Sequence, residues 1–108
     1  MQKTIVCLCG STRFKDEFLE WNRFFTLHDC IVVMPGVFAH AGDEITDEQK
    51  ENLDALHKYK IAMADLVFIV DKDGYIGKST SEEIGFAKAL HIPIEYMSET
   101  KEIKGEKN

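Results

Sequence analysis

The chain has 108 residues, 44% hydrophobic and 30% charged, which suits one folded domain with a modest core. Its formal net charge of -6 leaves no basic stripe and argues against wrapping DNA or RNA, so a mononucleotide is an acceptable partner and a polynucleotide is not. No apolar run approaches the roughly 18 residues of a membrane span and no N-terminal stretch has signal-peptide form, so the expectation is a cytoplasmic protein with no membrane partner.

Thr4 to Cys9, TIVCLC, is a continuous apolar run that reads as a strand buried on both faces. Cys7 and Cys9 lie two apart in it and so face the same side without bridging each other. With Cys30 they form no C-x-x-C pair and read as reduced, small core residues. Gly10-Ser11-Thr12-Arg13 ends the strand. Its hydroxyls suit either a helix cap or an anion site. From Phe14 to about His28, apolar residues recur at spacings near three and four, including Phe18, Trp21 and Phe25, and predict a helix with a broad apolar face.

Ile31 to Met34 is the second predicted strand, stopped by Pro35-Gly36. Val37 to Thr46 is irregular, a length that suits either a lid over a site or a variable surface connection. In this loop His40, Asp43 and Glu44 lack a second imidazole or a thiolate beside them, so no metal and no other cofactor is expected. A long helix opens at Thr46 or Asp47 and runs to about Ala64, with Leu53, Leu56, His57 and Ile61 on one stripe.

Leu66 to Val70 is the third strand, followed by a loop with Gly74 and Gly77 and then by Ser79, Thr80, Ser81, Glu82 and Glu83 at the start of a third helix. Strand, glycine loop, hydroxyls and helix start form a phosphate-cradle layout, because unpaired N–H groups and the positive end of the helix dipole converge there. The same residues also fit a capping box, Ser79 with Glu82 or Thr80 with Glu83, which needs no ligand at all. Tyr75 in the loop suits either stacking on a base or packing on the loop or a subunit contact. Ile92 to Tyr96 gives a short fourth strand with Pro93 near an edge. The domain is expected over residues 1–97, with a polar tail over 98–108 that is frayed or caps a neighbouring subunit.

Strands alternating with helices predict an α/β fold of flavodoxin or Rossmann type, with about four parallel strands in the order 2-1-3-4 and helices on both faces. In that wiring the first and third strands are neighbours at the switch point, where ligands bind beyond the carboxyl ends of the strands. Gly10 to Arg13 and Gly77 to Glu83 would then flank one crevice. The helix from Phe14 to Phe25 carries more apolar surface than four strands are expected to cover, which predicts a homodimer or larger homo-oligomer.

Three pieces together resemble the nucleoside 2-deoxyribosyltransferase superfamily, including its 2′-deoxynucleoside 5′-phosphate N-hydrolase branch. They are Cys9-Gly10-Ser11-Thr12-Arg13, Ala64-Asp65-Leu66-Val67 and Glu83-Ile84-Gly85-Phe86-Ala87, and with their spacing they span roughly residues 4 to 97. The resemblance implies that Glu83 is the nucleophile on the anomeric carbon of a deoxyribosyl group, forming a glycosyl ester that water or a second base resolves. A position in the first helical turn would favour its ionised form. It also implies that Gly10, Ser11, Thr12, Arg13, Gly77, Ser79, Thr80 and Ser81 hold a 5′-phosphate or the sugar hydroxyls. Two family acids are replaced: His57 stands eight residues before Asp65, and Gly77 stands six before Glu83. These departures favour hydrolysis over base exchange and leave the acid for the departing base unassigned. His57 is either a substitute proton donor or a helix residue with no chemistry. The competing readings are a non-catalytic nucleotide-sensing module and a ribonucleotide phosphoribohydrolase, whose T-x-x-E is matched by Thr80 and Glu83 although its P-G-G-x-G-T lead is absent.

Overall fold

The structure is a computed structural model and describes residues 2–100. Four parallel strands, β1 (Ile5–Gly10), β2 (Ile31–Val33), β3 (Leu66–Val70) and β4 (Ile94–Tyr96), stand in the order β2-β1-β3-β4. The helices α1 (Lys15–Leu27), α2 (Asp47–Ala62) and α3 (Lys78–Ala89) connect them. The chain therefore has the α/β fold and strand order expected from its pattern. Among the described residues, no helix is long and apolar enough to cross a membrane.

The alternation of side chains along β1 and β3 decides where each helix sits. Val6, Leu8, Phe68 and Val70 point to one face and pack with Phe18, Trp21 and Phe25 of α1. Cys7, Cys9, Val67 and Ile69 point to the other, with Ile61 of α2 and Ala87 of α3. Trp21 and Phe68 lie with ring centroids 4.5 Å apart. The aromatic face of α1 is thus covered within the chain: Phe18, Trp21 and Phe25 are all buried. Excess apolar surface on α1 consequently no longer argues for an oligomer. Along α2 and at its C-cap the large exposed apolar residues are Leu56, Tyr59 and Met63, which recur at helical spacing on one stripe.

Local signals set the helix starts. Thr46 caps α2 in a reciprocal box with Gln49, which satisfies two otherwise unpaired N–H groups. The start of α3 differs from both capping boxes that its sequence offers. Gly77 is its N-cap, without a side-chain cap bond, and the Gly77 carbonyl accepts from the Ser81 N–H at 2.9 Å. Glu82 and Glu83 consequently fall beyond the first turn, which holds no acid.

The loop between β2 and α2 is anchored rather than loose. Phe38 is buried and meets Phe18 ring to ring at 5.7 Å, while the Phe38 N–H donates to the Asp43 carboxylate at 2.7 Å. At the other end of the sequence, buried Asp71 accepts from the Ser98 N–H at 2.9 Å and the Ser98 hydroxyl at 2.7 Å. The polar end expected to fray from Ser98 is therefore tied down where it begins; residues 101–108 lie outside the described residues.

Gly10 closes β1 opposite Val70, with φ +157°, and a Cβ built on it would stand 2.6 Å from the Val70 carbonyl oxygen. Both clashing groups belong to paired backbone, so neither yields cheaply. Gly10→Ala is expected to destabilise the fold by about 1–3 kcal/mol, the usual cost of overpacking, read as a lowered urea midpoint with an unchanged slope.

Candidate functional site

A cleft of about 430 Å³ opens at the carboxyl ends of β1 and β3, a volume in the range of small-molecule sites, roughly 300–1,000 Å³. Gly10, Ser11, Thr12 and Arg13 line it from one side. Gly77, Ser79, Thr80 and Glu83 line it from the start of α3. His57 and Tyr75 also reach it. Ser81 does not: it is exposed outside the cleft lining, because two residues of α-helix set it on the opposite side of α3 from Glu83.

The residues after β1 are already bonded to one another. The Ser11 hydroxyl oxygen accepts from the Arg13 N–H at 3.3 Å and from Arg13 Nε at 3.1 Å, which leaves its own O–H to donate. Thr12 Oγ1 lies 2.8 Å from His40 Nδ1, so the loop before α2 is latched to the turn after β1. Arg13 stacks over the Tyr75 ring at 4.5 Å, and Phe14 meets that ring edge-on at 6.0 Å. One face of Tyr75 is therefore occupied by Arg13, which joins the turn after β1 to the loop after β3.

Glu83 and His57 approach across the floor of the cleft, with Oε1 and Nε2 3.9 Å apart and both side chains largely buried. Behind them are the two thiols of β1: Cys9 Sγ is 3.2 Å and Cys7 Sγ 3.8 Å from the same Nε2. Burial holds the Glu83 carboxyl above its ordinary range, and the His57 charge pulls the other way. This reverses the expected effect of the helix dipole, which fades beyond the first turn. Burial opposes the His57 imidazolium, but a hydrogen bond and charge from Cys7, with the charge of Glu83, outweigh it and raise the pKa. The Cys7 thiol is lowered, chiefly by its bond with Cys9, while that same bond and burial push Cys9 up.

Three further groups enter the cleft from α2 that no sequence motif had marked: Lys50, Asp54 and Lys60. They share the helix face of His57, at spacings of three and four. Asp54 pairs with Lys50 at 3.0 Å and lies close enough for its charge to add to the rise at Glu83. Lys60 donates to the Met34 carbonyl at 2.8 Å, fastening α2 to the chain as it leaves β2. The helical period of α2 could have flagged this polar row, but an acid and two lysines also describe an ordinary solvated face. Lys60→Met is expected to release the segment from Pro35 to Ile45, read as faster amide hydrogen exchange there with helix α3 unaffected.

No family model matches the sequence, and no curated protein matches it. Among solved structures, the fold is similar to that of a CMP N-glycosidase from Clostridium botulinum, BcmB, with a TM-score of 0.59 and 18% sequence identity over 86% of this chain and 70% of that one. At this identity the likeness is one of fold.

Proposed function

We propose that the chain cleaves the N-glycosidic bond of a 2′-deoxynucleoside or its 5′-monophosphate, by hydrolysis in preference to transfer, with Glu83 as the nucleophile. The observation that carries this reading is the opening of Glu83 onto the same cleft as the turn Ser11-Thr12-Arg13 and the N-terminus of α3. A Glu83 oxygen attacks the anomeric carbon as the bond to the base breaks, the electron pair leaving with the base nitrogen. Water then attacks the glycosyl ester and regenerates the carboxylate, with net retention at the sugar carbon. The α3 N-terminus suits a 5′-phosphate, since its Gly77 N-cap supplies no side-chain cap bond to the first N–H groups; across the cleft the Ser11 O–H remains to donate and Arg13 adds positive charge.

His57 serves the nucleophile in this scheme: its positive charge favours the ionised form of Glu83 that burial disfavours. Asp54 stands one turn from His57 on α2 with its carboxylate paired to Lys50, so the departing base takes its proton from water in the cleft. The fold likeness to an N-glycosidase supports the reaction class. That neighbour is named for CMP, a ribonucleotide, which keeps ribonucleotide cleavage as a second reading.

Incubation with a mixed pool of ribo- and deoxynucleotides and nucleosides is expected to release free base and sugar product, identified by mass spectrometry. Glu83→Gln should lower the rate by on the order of 10³-fold or more, as loss of a covalent nucleophile does, while ligand still binds. Release from ribonucleotides alone would select the second reading. Tight binding with every ligand recovered intact would instead indicate a sensing module.

A homodimer remains part of the proposal, now through the stripe Leu56, Tyr59 and Met63, exposed by 49%, 74% and 54%. Light scattering is expected to give twice the mass of one chain, and Tyr59→Asp to give a single chain with its fold intact.

A further inference from the structure

The cluster behind the cleft floor holds more polar atoms than one imidazole nitrogen can satisfy. His57 Nε2 carries either one hydrogen or one lone pair. Yet Cys9 Sγ, Cys7 Sγ and Glu83 Oε1 all converge on it, at 3.2, 3.8 and 3.9 Å. The two sulfurs and a ring nitrogen of His57 lie within 4.8 Å of one another, and all three residues are buried. We propose that Cys7, Cys9 and His57 bind a single thiophilic metal ion, with Zn²⁺ as the reference case and Glu83 Oε1 as the fourth ligand.

The distances suit such an ion. Zinc bonds of about 2.3 Å to sulfur and 2.0–2.1 Å to nitrogen in a tetrahedron set the donor atoms roughly 3.5–3.8 Å apart. The two sulfur-to-nitrogen separations, 3.2 and 3.8 Å, already bracket that range. Two thiolates and one imidazole form a donor set that zinc uses with a fourth position left open; here a carboxylate faces that position. The ion needs no other charge, since two thiolates neutralise it; Glu83 adds a single negative charge, and the Lys60 ammonium is close enough to act on Cys7 and His57. Each thiol gives its proton to solvent as its bond to the metal forms, and no electron is transferred.

Sequence and topology both preserve the pair for this use. Residues two apart on a strand have Cα atoms about 6.6 Å apart, near the upper limit for a disulfide, and parallel Cα–Cβ directions, so the thiols stay reduced. The cleft gives the ion a route, because His57 and Glu83 form part of its wall. A bound ion occupies the Glu83 oxygen that would attack a sugar, so metal and substrate exclude each other. That consequence rests on the N-glycosidase reading; the site itself does not.

The test is titration of the reduced, metal-free full chain with Co²⁺, followed by Zn²⁺. One equivalent of cobalt is expected to produce a thiolate-to-cobalt charge-transfer band in the near ultraviolet and tetrahedral visible bands, and one equivalent of zinc to remove both. Cys30→Ser should leave the spectrum unchanged. Cys7→Ser/Cys9→Ser should abolish the charge-transfer band, and Glu83→Gln should keep it while shifting the visible bands. A wild-type chain without the band, or a band lost in Cys30→Ser, would overturn the site whether or not the double variant folds; so would a band that survives in a folded double variant. Base release measured alongside separates the two readings: a cobalt band without turnover retires the N-glycosidase reading and leaves the metal site, whereas turnover without the band does the reverse.

Discussion

The pairing of β1 with β3 is the constraint from which the rest of the molecule follows. Five residues of each strand run in parallel register, Val6 with Leu66 through Gly10 with Val70. Because side chains alternate across a sheet, that one register sends Val6 and Leu8 towards α1 and Cys7 and Cys9 towards α2 and α3. A slip of one residue would exchange the two cores and carry the thiols away from His57. The register also brings the ends of both strands to the same level, so that the turn after β1 and the loop after β3 share one cleft. Complete burial of Phe18, Phe68, Leu8 and Ile61 contributes about 1.5–3 kcal/mol for each side chain.

The elements were readable in the sequence because their signals were long and unmixed. LVFIV over 66–70 gave its strand without error, and the apolar period of α1 and the opening of α2 at Thr46 or Asp47 lay within a residue or two of the structure. The start of α3 was harder, since Ser79 with Glu82 and Thr80 with Glu83 satisfy the same local rule in two registers. Tertiary structure chose a third solution, an extended Gly77 whose carbonyl begins the helix. Two residues of displacement then took Glu83 out of the field of the helix end, while it stayed on the cleft expected for it. Its electrostatics changed accordingly, from stabilisation of the charge to penalty by burial.

The candidate site was legible where residues are contiguous and obscure where they come from a helix face. Ser11 to Arg13 and Gly77 to Glu83 stand out as short runs with turn chemistry. Lys50, Asp54, His57 and Lys60 are spread over three turns, and nothing local separates them from an ordinary polar stripe. Cys7 and Cys9 were read as small apolar fillers, a fair reading of two buried thiols; only the packing of α2 on β1 brings them to an imidazole. Tyr75, open to either a base or the loop, has one ring face taken by Arg13.

Both margins of the sheet are short, β2 and β4 having three residues each. A parallel sheet in a small domain leaves its outer strands with unpaired amide and carbonyl groups, the template on which a foreign strand can add. Three residues offer too few such groups for a stable new ladder, and the clasp of Asp71 on Ser98 turns the backbone away from the direction of β4 just beyond it. The domain therefore protects itself from fibrillar growth by brevity at its borders, which leaves the long central pair free to be as apolar as its two cores demand.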